Sequence, residues 1–303
     1  MTKKEKRTKI RRSKRFFAAL ALLVLLVLTT GCIPRPILLS TLDLKEFDNQ
    51  EKNSQDIPYI GQQIIIDNFI GRIVIEGVDQ SSFVVGGPFV SIEWTKRVRN
   101  LPLDELDVDI KADQDSIRIS SNASDAIGKH FKLTPPFSEE RVGLIEYTIR
   151  VPKDARLQID QVVGSIEVFH FEGQLEVSQE AGIQNDPAVG AQSIIIRDSK
   201  LKDLHVQSHV GGIALQNTTF QEGDLTNSVG DISVQLSCKD SALVEGETKL
   251  KDITVQGIEN CPKTPTERET GWPGQKIKLL LGKGNSHLSI SSELGRILLE
   301  IVK

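Results

Sequence analysis

At 303 residues the chain is long enough for one or two domains, and it carries 37 Lys+Arg against 41 Asp+Glu. Nine of the basic residues and one acidic residue fall in the first 31 positions, so the remainder holds 28 basic and 40 acidic side chains, a net of −12. A domain that acidic is a poor binder of nucleic acid and does not lie flat on an anionic lipid surface.

The chain opens on a basic stretch (Lys3, Lys4, Lys6, Arg7, Lys9, Arg11, Arg12, Lys14 and Arg15), followed by mostly apolar residues over 16–30. Leu28-Thr29-Thr30-Gly31-Cys32 then leads through small residues into a cysteine. This order predicts an export signal, a helix over residues 1–31. Its end resembles a bacterial lipobox, with Thr29 where that motif prefers Leu. The resemblance implies that Cys32 takes a diacylglycerol and becomes the anchored N-terminus. An uncleaved signal-anchor helix is the competing reading, although the run is marginal against the roughly 20 residues a span needs, and Pro34 and Pro36 stop any helix beyond it. With each buried methylene contributing about 0.8 kcal/mol, several acyl chains on one cysteine hold a protein on a membrane. The basic segment stays cytoplasmic, which places the rest on the extracytoplasmic face of the cell envelope, a lipid-anchored membrane protein.

Residues 32–60 are polar and aperiodic around FDNQEKNSQD and read as a flexible tether. From residue 61 onward GQQIIIDNFIGRIVIEG, FVVGGPFVSIEWT, LDVDIKA, DSIRISS and GLIEYTIRV alternate apolar and polar at period two, the pattern of half-buried strands. SNASDAIGKH and LTPPFSEE between them read as loops. No apolar 3.6-residue period persists after the leader, so the domain over residues 61–303 is predicted all-β.

From Val151 an apolar-x-apolar phrase repeats, opened by Ile166, Ile194, Ile213, Ile232 and Ile253, with 19-residue steps from Ile194 to Ile213 to Ile232 and a step of 21 to Ile253. A second strand follows about ten residues after each phrase (QLEV, DLHV, DLTN, ALVE), and SELGRILLEI at the end is one more copy. A unit this short cannot bury its apolar face alone and must stack on its neighbours. The spacing predicts a β-solenoid of short parallel strands, with equivalent isoleucines about 4.8 Å apart; a β-sandwich with regularly spaced strands is the alternative. Gly164, Gly211 and Gly230 precede the phrases at predicted tight corners.

VPKDARLQIDQVVGSIEV, VGGIAL and VGDISV resemble the DUF4097 family of exported, adhesin-like β-strand-repeat proteins, over roughly residues 61–301. The resemblance implies a right-handed single-stranded β-helix and a surface role, and it carries over no catalytic residue.

Cys238 and Cys261 remain as a pair in an oxidising compartment, where a disulfide of roughly 3 kcal/mol is expected, against two buried free thiols as the alternative. Asp231 and Asp252 precede equivalent strands on neighbouring turns, so stacking would set their carboxylates about 5 Å apart, where they could share a Ca²⁺ or shift each other's pKa; Asp at turns explains them without a ligand, and a calcium site wants about six or more oxygens. His205 and His209 read as surface residues, Asp107, Asp109, Asp113 and Asp115 as a solvated strand face, and Trp94, Tyr147 and Phe169 as core rather than sugar-binding aromatics. No metal site, cofactor or catalytic constellation is predicted. The outward strand positions Glu167, Ile195, Ala214, Ser233 and Thr254 hold no cluster of carboxylates and cations of the kind a polysaccharide-cleaving β-helix needs. The expectation is a non-enzymatic surface protein that binds an envelope protein or glycan through an extended face. A regulatory envelope-stress module acting through protein contacts is a second reading.

Overall fold

Alternation in the sequence becomes alternation in burial. In the computed structural model the strand Ile232–Ser237 alternates strictly between buried and half-buried side chains, and Gln63–Val78 does so over most of its length. The structure describes residues 47–79, 87–128, 142–182, 192–261, 266–270 and 274–302, all within the compact unit Asp43–Lys303. Cys32 and the predicted signal helix lie outside the described residues.

Among the described residues nineteen strands, numbered in chain order, form one hydrogen-bonded sheet folded into two layers. The first layer runs β4 (Val108–Ala112), β5 (Ser116–Ser121), the first half of β2 (Gln63–Val78), the first half of β7 (Arg156–Phe169), β8 (Gln174–Gly182), β10 (Lys200–Val210), β12 (Thr219–Val229), β18 (Ser286–Ser292), β14 (Ala242–Thr248), β17 (Gln275–Leu280) and β16 (Thr266–Thr270). The second runs β1 (Asn49–Pro58), β3 (Phe89–Arg99), β6 (Val142–Pro152), the second halves of β2 and β7, β9 (Gln192–Arg197), β11 (Gly212–Gln216), β13 (Ile232–Ser237), β19 (Ile297–Val302) and β15 (Ile253–Gln256). The central strands of both layers are parallel, and each rung of the stack contributes one strand to each layer.

Register places the repeated isoleucines in a single column. Ile73, Ile166, Ile194, Ile213, Ile232, Ile297 and Ile253 follow one another across the second layer, and all seven are fully buried. Opposite them, Ile119, Ile66, Ile159, Val177, Val206, Leu225 and Ile290 form a matching column in the first layer. The columns face each other: a Cβ added at Gly246 on β14 would lie 3.7 and 3.8 Å from the Cδ1 atoms of Ile253 and Ile297. Each such isoleucine contributes about 1.5–3 kcal/mol by burial.

The order of rungs departs from the order of the chain at both ends. β2 lies between β6 and β7 although it precedes both. The C-terminal pair β18 and β19 slots between β12/β13 and β14/β15. Stacking in chain order, expected from the repeat, is thereby corrected: Ile297, not Ile253, is the neighbour of Ile232. Antiparallel strands β1, β3, β4, β16 and β17 flank the parallel stack. Two further expectations change. Residues 49–58, assigned to the tether, form β1 on the edge of the second layer, where backbone pairing to β3 suffices and most of the polar side chains stay exposed. SNASDAIGKH, read as a loop, contains the short helix α1 (Ala123–Gly128).

The chain passes between layers at a corner built from a buried amide or hydroxyl side chain and, in most rungs, a glycine three residues later. Asn68, Gln161, Gln179, Ser208, Asn227, Ser292 and Thr248 form a buried polar column across the first layer. The amides of Gln161, Gln179 and Asn227 donate to the carbonyls of Gly71 (2.7 Å), Gly164 (3.1 Å) and Gly211 (2.7 Å), each on the adjoining rung. These carbonyls sit at the bend, and a buried carbonyl left without a donor costs about 1–3 kcal/mol. At Gly230 φ is 134°, and a Cβ there would meet the Gly211 carbonyl oxygen at 2.1 Å; only glycine fits. Six of the seven rungs carry glycine at this place, and Lys251 replaces it in the rung of Thr248.

Cys238 follows β13 and Cys261 follows β15, and the two are joined in a disulfide with a Cα–Cα distance of 5.4 Å. The bridge spans β19, which lies between those strands, and the Cys238 N–H donates to the Val302 carbonyl at 2.9 Å.

Replacing Asn227 by Leu keeps the volume but removes the donor to Gly211, and denaturant unfolding should report a loss of about 1–3 kcal/mol. Reducing the Cys238–Cys261 bridge should lower stability by about 3 kcal/mol in the same assay, while Cys32→Ser leaves it unchanged.

Candidate functional site

With the inward positions filled by aliphatic columns, chemistry is confined to the outward faces and to the concavities between strands. On the second layer the outward row reads Thr148, Val74, Glu167, Ile195, Ala214, Ser233, Leu298 and Thr254. Five of these positions were expected to point outward; Leu298 enters the row because its strand is inserted, and Ala214 is buried at 2% exposure. Glu167 is the centre of a charge network: it receives Arg72 at 2.9 Å and Arg197 at 2.9 Å, and Arg197 stacks over the Phe169 ring at 4.6 Å. The hydrogen bonds that Arg197 donates to Glu167 raise its guanidinium further above its ordinary value. Phe169, expected in the core, is half-buried and serves as the platform for this cation, whereas Tyr147 is fully buried and its phenol is pushed up by desolvation.

The two aspartates anticipated as neighbours are separated by the inserted rung. Arg296 occupies the place between them and donates to Asp231 through its backbone N–H (2.8 Å), Nε (3.1 Å) and Nη2 (2.7 Å). A shared calcium site is therefore replaced by an ion pair. Burial would raise the Asp231 carboxyl, but the Arg296 hydrogen bonds and charge outweigh it and hold the carboxyl below its ordinary range. His205 faces Asp224 at 3.2 Å and is half exposed, and His209 is exposed, both surface residues as expected. His287 lies between Glu222 (3.6 Å) and Glu245 (3.2 Å) on the two adjoining strands. Asp113 caps the β4–β5 turn by accepting from the Ser116 and Asp115 N–H groups, and these bonds lower its pKa. No group of three or more His, Cys, Asp or Glu able to hold a metal occurs among the described residues.

Concavities open on the first layer among the described residues, two of them lined by charged side chains. One, of about 430 Å³, lies over β14, β17 and β18 and is lined by Glu245, Glu247, Glu267, Glu269, Lys276 and Lys278. Its lysines are neutralised: Lys276 pairs with Glu247 at 3.3 Å and Lys278 with Glu245 at 2.9 Å. The other, of about 560 Å³, lies where the strands of the first layer begin and is lined by Tyr59, Ile60, Pro88, Asp154, Arg156, Gln174 and Lys202. Sequence reading missed it because Tyr59 lay at the end of the supposed tether. The signal was available in the outward positions at rung spacing, where Arg156 and Gln174 stand side by side on β7 and β8.

Comparison with known proteins adds the following. No family model matches the chain, and no curated protein matches its sequence. Among solved structures, a candidate cell adhesion protein from Clostridium sporogenes is similar at 12% identity and a TM-score of 0.44, covering 84% of this chain and 100% of the other. A candidate adhesin from Bacteroides fragilis is similar at 9% identity and a TM-score of 0.33, over 84% and 98%. A candidate lipid binding protein from Parabacteroides distasonis is similar at 13% identity and a TM-score of 0.28, over 84% and 98%.

The ion pair at the inserted rung gives a pH signature. A carboxyl whose folded pKa lies below its unfolded value contributes stability above the unfolded pKa of about 3.9 and loses it as pH falls through the folded value. Asp231→Asn should thus cost less than about 1 kcal/mol at pH 7, given the exposure of the pair. The gap between variant and parent should close in unfolding curves taken below about pH 3.

Proposed function

We propose that this chain is a non-enzymatic, lipid-anchored cell-surface protein of the adhesin-like DUF4097 kind, which binds an envelope or surface partner through the outward faces of a right-handed β-solenoid. The observation that carries the reading is the outward face of the second layer, an unbroken run of ten neighbouring strands. At about 4.8 Å per strand such a face extends for roughly 40 Å. A stack of equivalent rungs stiffens it, and extended complementary contact over such a face favours a large partner over a small substrate.

The electrostatics lean the same way. The carboxyls with resolved shifts (Glu93, Asp113, Asp198, Asp231 and Glu245) are all held below their ordinary values by hydrogen bonds or cations. A glycoside hydrolase acting by general acid catalysis needs one carboxyl raised instead. The DUF4097 reading rests on the repeat phrases, and the solenoid on parallel rungs joined by a repeated corner.

The leader supplies the anchor, with Cys32 as the acylated residue. No helix among the described residues is long and apolar enough to cross a membrane. Labelled palmitate should enter the full chain and fractionate with membranes, and Cys32→Ser should abolish both. Cells deprived of the protein should lose adhesion to the surface they colonise and regain it on complementation with the parent chain. Unlabelled protein, or undiminished adhesion without it, would overturn the anchor and the adhesive role respectively.

A further inference from the structure

Among the described residues the exposed large hydrophobic side chains are Ile60, Val229, Leu250 and Leu294. All but Ile60 occupy one position of the corner. Val229, Leu294 and Leu250 each stand two residues after the buried polar side chain of their rung, which is Asn227, Ser292 and Thr248 respectively. Asn227 pairs with Ser292 and Ser292 with Thr248, so the three aliphatic residues lie on adjacent rungs, about 4.8 Å apart. The Leu294 N–H donates to the Ser228 carbonyl at 2.9 Å, which carries the register into the bend.

The same position runs through the stack and changes character along it. Ile70, Val163 and Ala181 are fully buried, and Val210 is half-buried. Val229 is then 39% exposed, Leu294 46% and Leu250 53%. Single apolar side chains on a surface need no explanation, whereas a contiguous apolar column marks an interaction site.

Where the chain enters the fold says what covers this column. β1 begins beside Val98, the Asp48 N–H donating to the Val98 carbonyl at 3.0 Å, and Val98 pairs with Gly143 near the start of β6. Tyr147, further along β6, pairs with Ile73 just past the corner of β2. Entry point and column therefore share the corner edge, while Ile60, between β1 and β2, lies at the opposite edge. The residues 33–47 between Cys32 and the entry point reach at most about 50 Å. The second layer extends for roughly 40 Å, so a bilayer that holds Cys32 is within reach of the whole edge.

The border of the column is electrically balanced. Lys249 pairs with Glu293 and Arg296 with Asp231, and Lys251 and Asp252 add one charge of each sign. This strip is neutral in a chain whose net charge beyond residue 31 is −12, so it approaches a lipid headgroup layer without the repulsion the outward faces meet. Lys249 and Lys251 flank Leu250, and their stems are long enough to keep the ammonium groups at headgroup level above an inserted leucine.

We infer that the corner edge at Val229, Leu294 and Leu250 rests on the lipid surface that anchors the chain, with these three side chains dipping among the headgroups. The inference rests on the lipid-anchor reading above and adds a direct contact that sets how the domain stands on the membrane. Three such side chains hold fewer carbons than one myristoyl chain, which alone binds only marginally. Anchoring at Cys32 supplies the effective concentration at which so small a contact persists.

The test uses the full chain, produced in bacterial cells and reconstituted into phosphatidylcholine vesicles with or without brominated lipid, which quenches tryptophan on contact. Leu250→Trp places a reporter on the column and Ile60→Trp places one on the opposite edge; the parent chain corrects for the native tryptophans. Quenching of Leu250→Trp should exceed that of Ile60→Trp at least about twofold. Adding Val229→Ser and Leu294→Ser to Leu250→Trp should lower its quenching at least about twofold. Melting temperatures should match the parent, because every substituted position is exposed. Equal quenching at the two edges would overturn the assignment and leave the column to a protein partner. Quenching of Leu250→Trp that ignores the added serines would overturn it as well.

Labelled palmitate reads the anchor separately. Palmitate on Cys32 together with equal quenching at both edges sinks the edge contact and leaves the anchor standing. Preferential quenching of Leu250→Trp in a chain that takes up no palmitate does the reverse.

Discussion

Two thin layers can bury continuous aliphatic columns only if the chain turns sharply from one to the other at every rung. The structure depends on how that turn is made without leaving backbone groups unsatisfied. A buried amide on one rung donates to the corner carbonyl of the adjoining rung, as Gln161 does to Gly71 and Asn227 to Gly211. The glycine that follows permits the close approach of rungs. Polar and apolar columns are therefore interdependent. The isoleucines supply the driving force, and the amide-glycine corners bring the paired strands into a register where that force is realised.

The surface chemistry follows from this scaffold. Since inward positions are consumed by packing, charged residues are displayed in rows at a spacing fixed by the strands, and neighbouring rows neutralise each other, as Glu167 does between Arg72 and Arg197. The Tyr59 concavity lies where the repeat begins and the entering segments of β2, β3 and β7 add side chains from outside the stack.

How much was legible in the sequence follows from the same physics. Ile194, Ile213 and Ile232 could be recognised as equivalent because a 19-residue step carries each to the same place in its rung, and the pairing bears this out. The order of rungs was not legible, because SELGRILLEI presents the same column to any neighbour and the repeat phrase cannot say which two it lies between. That ambiguity produced the mistaken pairing of Asp231 with Asp252, where Arg296 intervenes. The polar corner residues were readable and passed over: Asn68, Gln161, Gln179, Ser208, Asn227 and Ser292 each stand three residues before a glycine. Residues 49–58 were misread because an edge strand needs only backbone pairing, to which composition is blind.

The insertion of the C-terminal strand is tested most directly by paired cysteines at outward positions of the second layer. With β19 between β13 and β15, Ser233→Cys with Leu298→Cys joins adjacent parallel strands at a separation of about 5 Å and should form a disulfide readily. Ser233→Cys with Thr254→Cys spans two strand spacings, about 10 Å, beyond the reach of a disulfide, and should remain as free thiols. Cross-linking of the second pair and not the first would show that the rungs stack in chain order and would contradict the account.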